Sequence, residues 1–212
     1  MNKQEEPLET LREIRHLMER SSRFLSLSGL SGVIAGIVAI AGVVAGYLYL
    51  GINWDASNYY QFATSANGTP DPVFYTFLIA DLVAVLVVSL LGATWFTVRK
   101  AKQQGNAVWD ATAKRLLINL LIPLVAGAIY GLILLYRGHI ELIAPATLIF
   151  YGMALLNAGK YTFNDIRYLG IFEIVTGLLA TVVPEYGLLF WAFGFGVLHI
   201  VYGIAVYKKY EK

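Results

Sequence analysis

The sequence contains no cysteine and few charged residues. The absence of cysteine among its 212 residues excludes disulfides, thiol nucleophiles and cysteine-ligated metals. Lysine, arginine, aspartate and glutamate together make up 14% of the chain, whereas soluble domains average about 25%. The net charge of +2 is too small to indicate binding to nucleic acid. These shortages argue against a soluble domain, a disulfide-linked domain and a nucleic-acid-binding domain.

Histidines are also few, and they lie far apart. His16 falls in the polar N-terminal segment, His139 between two apolar segments and His199 inside the last one. They cannot form one metal site, and the chain has no HExxH motif, no GxSxG motif and no phosphate-binding loop. We therefore expect a protein that is not an enzyme, with no catalytic residue, no metal and no cofactor.

Long apolar runs dominate what is present, and hydrophobic residues make up 58% of the chain. A helix of about 20 apolar residues crosses a bilayer core of about 30 Å. The runs predict an all-α fold, a membrane bundle of six transmembrane helices at about 27–50, 73–98, 116–136, 140–156, 168–183 and 188–207. Residues 25–212 would form this one domain. The polar start of the chain predicts that the first span is retained and not cleaved as a signal peptide.

Positive charge predicts the orientation of these spans. Of the 16 lysines and arginines, all but one lie before the first span, after the second, after the fourth or at the C-terminus. The three other connections hold only Arg137. Because basic segments stay in the cytoplasm, we expect both termini there, with the protein in the cytoplasmic (inner) membrane of a bacterium.

Residues 1–24 form a separate polar segment with one apolar face. Leu8, Leu11, Ile14, Leu17 and Met18 recur at helical spacing, which predicts an amphipathic helix on the cytoplasmic side. This helix either lies on the lipid surface, or docks a cytoplasmic protein partner or a second copy of the chain, or is a frayed tail.

Glycines at a spacing of four mark the first span. Gly32 and Gly36 form one GxxxG pair, and Gly42 and Gly46 form a second. Small residues at this spacing let two helix backbones approach closely. The pairs predict either packing within the bundle or the contact face of a homo-oligomer. The glycines of "FGFG" (193–196) can similarly admit a neighbour or, alternatively, a ligand.

The spans also resemble one another in pairs. A glycine stands fourth in "VIAGIV" (33–38), "AIYGLI" (128–133) and "IVTGLL" (174–179), and again in "SLLGAT" (89–94), "IFYGMA" (149–154) and "IVYGIA" (200–205) of the helices that follow. These matches predict three pseudo-repeated helical hairpins. The alternative is chance, because glycine is common in membrane helices.

The stretch "GLLATVVPEYGLLFW" (177–191) pairs two helices, with a glycine inside a helix and a proline at the outer turn. In this pattern, over residues 168–207, the chain resembles the HdeD family of small bacterial inner-membrane proteins. The resemblance implies six spans and a link to acid resistance, and hence a stress-related role.

Four polar side chains inside the predicted spans are the functional candidates: Asp81, Asn119, Glu173 and His199. An ionisable group inside a membrane is costly, and it is a functional candidate by default. Glu173 and His199 lie on the small-residue faces of two consecutive antiparallel helices, so we expect them to touch. Pro123, four residues after Asn119, is expected to bend its helix. The set predicts a buried polar cluster that holds helices in register, or a proton or cation pathway, or a site for a small polar ligand.

The function expected from these features is that of a non-enzymatic membrane scaffold that binds partners. The alternative is a small proton- or cation-linked channel or transporter that uses Asp81, Glu173 and His199. The lipid bilayer is the partner that the composition itself requires.

Overall fold

The computed structural model describes residue 24 and residues 26–51, 59–105 and 107–212. Within these ranges the chain is helical and forms no named strand. The all-α fold predicted from the sequence is therefore confirmed for this part of the chain. The amphipathic helix predicted at residues 1–24 lies, apart from residue 24, outside the described residues.

Six long helices follow the predicted spans in the described part of the chain. Their bounds are α1 Gly29–Leu50, α2 Pro72–Gln103, α3 Ala111–Arg137, α4 Ile143–Ala158, α5 Asp165–Val182, and α6, which runs through Gly187–Trp191, Ala192–Leu198 and His199–Tyr210. The middle segment of α6 is a π-helix. Short 3-10 turns at Tyr59–Ala63, Ile140–Leu142 and Pro184–Tyr186 lie in the connections.

Aspartate caps fix the starts of α2 and α3. Asp71 accepts hydrogen bonds from the backbone N–H groups of Val73 and Phe74 at 2.8 and 3.1 Å. Asp110 accepts one from the N–H of Ala113 at 2.6 Å. Each cap satisfies N–H groups that a helix start leaves without a partner. Because of its cap, α3 begins at Ala111, ahead of the apolar run predicted from residue 116.

Five helical segments in the described part of the chain are long and apolar enough to cross a membrane, and α5 is not among them. α5 has 18 residues, three of which are charged: Asp165, Arg167 and Glu173. Each of the five segments carries at most two such charges in its apolar stretch of 18 residues. The chain is thus a membrane protein by its helices, while composition alone does not support α5 as a sixth span.

The centre of the bundle is formed by α1, α4, α5 and α6, and α2 and α3 lie outside it. α1 packs against α2 and α6, and α4 packs against α3 and α5. In α2 and in α3, only 6% of the most apolar 18-residue stretch is buried inside the protein. In Ile140–Ala158 the corresponding share is 44%. The outer faces of α2 and α3 are therefore the surfaces that lipid covers.

Glycines permit the closest approaches between helices. A Cβ atom at Gly36 of α1 would lie 2.5 Å from the backbone oxygen of Gly196 on α6. A Cβ atom at Gly152 of α4 would lie 2.6 Å from the backbone oxygen of Gly170 on α5. Because backbone atoms cannot move aside as a flexible side chain can, no larger residue fits at these crossings without separating the helices.

Both GxxxG pairs of α1 are used inside the molecule. Gly32 and Gly36 face α6, where a Cβ atom at Gly32 would lie 3.3 Å from the Cα of Gly203. Gly42 and Gly46 face α2, where a Cβ atom at Gly46 would lie 3.6 Å from the ring of Phe77. The two pairs are packing motifs of the bundle and leave any homo-oligomer contact to another surface.

The glycines of the predicted repeat do not occupy equivalent environments. Gly36, Gly152, Gly177 and Gly203 each lie against a neighbouring helix, whereas a Cβ atom at Gly131 would meet nothing within 4 Å. Among the described residues, α2 and α3 form no extended interface with each other. Three equivalent hairpins would need that interface to close a ring, so the pseudo-repeat stays a prediction.

Residues near the C-terminus close the basic end of the bundle. Glu211 accepts a hydrogen bond from the backbone N–H of Gly29 at 2.6 Å and forms an ion pair with Lys100 at 3.2 Å. Lys100 also donates to the carbonyl oxygen of Leu27 at 2.6 Å. A carboxylate at a helix start is favourable because of the unpaired N–H groups and the helix dipole. Glu211 thus caps α1 from the far end of the chain and links α1, α2 and α6.

Candidate functional site

Glu173 lies on the inward face of α5 and is 0% exposed. The buried residues of α5 recur at the spacing of one helix face; they are Ile166, Leu169, Gly170, Glu173, Thr176, Gly177 and Ala180. The carboxylate therefore points away from lipid, as its neighbours Thr176 and Gly177 led us to expect.

His199 meets Glu173 from α6. Its Nδ1 atom lies 3.2 Å from Oε1 of Glu173 and 3.1 Å from the carbonyl oxygen of Gly194. Its Nε2 atom lies 2.8 Å from the hydroxyl of Tyr151 on α4. The structure thus brings together the two residues that the sequence placed side by side, and it adds Tyr151, which sequence reasoning missed. One polar side chain each from α4, α5 and α6 forms this cluster, here called the polar lock.

Within the polar lock, the Nδ1–H bond of His199 is directed at Gly194. The contact with the Gly194 carbonyl has hydrogen-bond geometry, while neither carboxylate oxygen of Glu173 has a hydrogen-bond partner among the described residues. The 3.2 Å contact between Glu173 and His199 is therefore a close approach without an aligned hydrogen bond.

Two arrangements of protons fit this geometry, since the tautomer of a histidine is inferred from its partners. If Tyr151 donates to Nε2, the imidazole of His199 is neutral, and Glu173 holds a proton because a lone carboxylate is too costly in a dry interior. If Nε2–H donates to Tyr151, the imidazole is cationic and Glu173 is ionised beside it. Either way the pair carries no net charge and needs no further ion.

Gly194 provides the space for the carboxylate. A Cβ atom at this position would lie 2.6 Å from Oε2 of Glu173 and would also collide with Leu148. Gly194 belongs to the π-helical segment Ala192–Leu198, whose altered register frees carbonyl groups for side chains such as His199. The neighbour that "FGFG" admits at Gly194 is therefore a carboxylate of the same chain.

Aromatic rings cover the polar lock. The Phe195 ring centroid lies 5.0 Å from that of Tyr151, 4.8 Å from that of Trp191 and 5.9 Å from that of His199. A cavity of about 390 Å³ at the basic end and one of about 60 Å³ beside Asp81 are not lined by Tyr151, Glu173 or His199, and the smaller cavity reaches the cover only at Trp191. The polar lock is thus sealed by packed side chains on the sides that the structure describes.

Asn119 and Asp81 do not join the polar lock. The side-chain amide of Asn119 donates to the carbonyl of Arg115 at 2.8 Å, one turn earlier on α3. α3 is an outer helix that continues through Pro123, from Ala111 to Arg137. Asp81 lies at the contact of α1 and α2. The predicted set of four therefore divides, because α2 and α3 lie outside the central helices that carry Glu173 and His199.

The smaller cavity lies beside Asp81, at the outer end by the predicted orientation. Its lining includes Gly42, Phe77, Asp81 and Trp191, together with Tyr59. The Tyr59 hydroxyl donates to the carbonyl of Ile140 at 3.2 Å. Burial, assisted by the nearby Glu141 carboxylate, raises the pKa of Tyr59, so the phenol stays neutral. Asp81 is therefore the one charged group among the described residues that line this cavity.

No family model, curated protein or solved structure matches the chain. Among the described residues, no group of three or more histidines, cysteines, aspartates or glutamates could hold a metal ion. The geometry of the polar lock and of the Asp81 cavity is therefore the basis for assigning a function.

Proposed function

We propose that the protein crosses the bacterial inner membrane six times. In this proposal α5 is a span in addition to the five apolar segments described above. α5 packs along α4, and Gly152 on α4 and Gly170 on α5 are in backbone contact. Since α4 belongs to a segment able to span the membrane, a helix of 18 residues alongside it, about 27 Å long, reaches across as well. Asp165 and Arg167 then lie at the membrane surface, and Glu173 is the single charge carried through.

The distribution of lysine and arginine supports an orientation with both termini in the cytoplasm. The ends of the bundle also support it, because residues 28–29, Lys100 and Glu211 meet at one end. That end carries the basic loops, so it is the cytoplasmic end in this proposal.

We infer that the protein acts without enzymatic chemistry, as a membrane scaffold that binds partners. The observation that supports this inference is the burial of Glu173. Its side chain is 0% exposed and lies between α5, which carries it, and Gly194 of α6. A catalytic or transporting carboxylate needs access to substrate or water, whereas a carboxylate that holds helices together needs none. The resemblance to the HdeD family adds a role in stress response.

The scaffold proposal is tested by partner capture from native membranes through a C-terminal tag. Deletion of residues 1–22 should abolish capture, because the apolar face of the predicted helix would be the docking surface. Leu11→Gln with Leu17→Gln on that face should lose at least about 1.4 kcal/mol of binding, a tenfold drop. Arg12→Gln with Arg20→Gln, on the polar face, is the matched control and should keep it. Undiminished capture after the deletion, in protein that still unfolds cooperatively, would contradict the proposal.

A second candidate function is proton- or cation-linked transport through Asp81, Glu173 and His199. One observation favours it: Asp81 lies inside α2, without a hydrogen bond or ion pair in the described part of the chain, beside a cavity. This candidate requires a water path from the Asp81 cavity to the polar lock, and the rings of Trp191, which lines the cavity, and Phe195, which covers the lock, pack between them.

A further inference from the structure

Asp81 is placed where a charge needs a partner. It lies nine residues into α2, about 13 Å along the helix from Pro72. Its carboxylate is turned toward α1, since a Cβ atom at Gly42 would lie 3.1 and 3.2 Å from its two oxygens. An ionised carboxylate at this depth is costly unless a counter-charge lies beside it.

No side chain in the described part of the chain supplies that counter-charge. Asp81 makes no hydrogen bond and no ion pair there. It differs in this respect from Glu173, whose contact with His199 leaves the pair neutral. The counter-charge of an ionised Asp81 is therefore expected to come from outside the part of the chain that the structure describes.

The cavity beside Asp81 limits the size and the chemistry of that partner. Its volume of about 60 Å³ is enough for an ion of a few heavy atoms. Its walls carry the aromatic side chains of Tyr59, Phe77 and Trp191 and no second carboxylate. Alkali ions prefer a shell of several oxygens, whereas an ammonium ion is satisfied by one carboxylate and aromatic faces.

We propose that this cavity binds a small monovalent cation of the ammonium class, either ammonium itself or methylammonium. Asp81 is the counter-ion, and the aromatic walls contribute cation–π contacts. Gly42 keeps the space open, because any side chain there would touch the Asp81 oxygens. The site is built from α1 and α2 with walls from the Tyr59 turn, α4 and α6, and the proposal does not depend on the scaffold function or on the polar lock.

The test is binding of radiolabelled methylammonium to purified full-length protein in lipid nanodiscs at pH 8. Wild-type protein should bind it saturably, ammonium should compete, and an equal concentration of sodium should not. Asp81→Asn should weaken binding at least tenfold, and Phe77→Leu should weaken it several-fold. Glu185→Gln, a charge change in a nearby outer loop, is the control and should bind like wild type.

Three results would overturn the proposal: no saturable binding by folded wild-type protein, equal binding by Asp81→Asn, or equal competition by sodium. Each variant is first shown to unfold cooperatively like wild type. If Asp81→Asn does not fold, Phe77→Leu decides, because undiminished binding there removes the aromatic wall from the site. Partner capture is measured separately, so failure here leaves the scaffold proposal untouched.

Discussion

Replacing His199 by leucine should lower the free energy of unfolding, by about 1–3 kcal/mol where Glu173 is protonated and by about 3–5 kcal/mol where it is ionised beside the imidazole. Glu173 would keep its place against Gly194 with no polar side chain in contact. Glu173→Met should cost only about 1 kcal/mol, because His199 retains its bonds to Gly194 and Tyr151. The measurement is equilibrium unfolding of the purified protein in mixed detergent micelles.

The double variant separates this account from a simple packing effect. Combining His199→Leu with Glu173→Met should recover about 2 kcal/mol relative to His199→Leu alone, because both partners are then apolar. If the two losses simply add, Glu173 and His199 are not coupled. A His199→Leu protein as stable as wild type would likewise contradict the polar lock.

Gly152→Ala is the second change with a large expected effect. The new Cβ atom would lie 2.6 Å from the backbone oxygen of Gly170 and 2.9 Å from the backbone nitrogen of Ile174. Because neither atom belongs to a side chain, α4 and α5 would have to move apart, at a cost of about 3 kcal/mol. The same unfolding measurement applies.

Gly131→Ala is the matched control for this substitution. It also lies inside a membrane helix, but its Cβ atom would meet nothing within 4 Å. Alanine favours the helix over glycine by up to about 1 kcal/mol, so Gly131→Ala should be neutral or slightly stabilising. Equal losses at positions 152 and 131 would show that close packing of α4 and α5 is not what Gly152 provides.

The sequence was sufficient to predict the helices and the pairing of Glu173 with His199. Apolar runs mark helices because a membrane core accepts few charges, and a short turn joins α5 to α6. The small-residue faces around Glu173 and His199 pointed both side chains inward. The apolar run also predicted α5 as a span. Because α5 carries three charged residues, its place as a span stays a proposal.

The neighbours of each helix could not be predicted in the same way. Lipid tails and helix interfaces are equally apolar, so hydropathy does not say that α1 packs on α6 or that α3 stays outside. Asn119 and Asp81 were grouped with Glu173 for that reason. Tyr151 was not predicted as part of the cluster, because tyrosine is common in the chain. The π-helical segment was not predicted either, because a shift in helix register leaves no local sequence signal.

The most direct test of the central claim, that Glu173 is sealed inside a polar lock, is a flux measurement. Proton and monovalent-cation flux into liposomes would be compared for wild type, Glu173→Gln and Asp81→Asn. We expect wild-type protein to give no more flux than empty liposomes, with Glu173→Gln folded but less stable. Flux through wild type that is lost in folded Glu173→Gln would contradict the account and make Glu173 part of a conducting path.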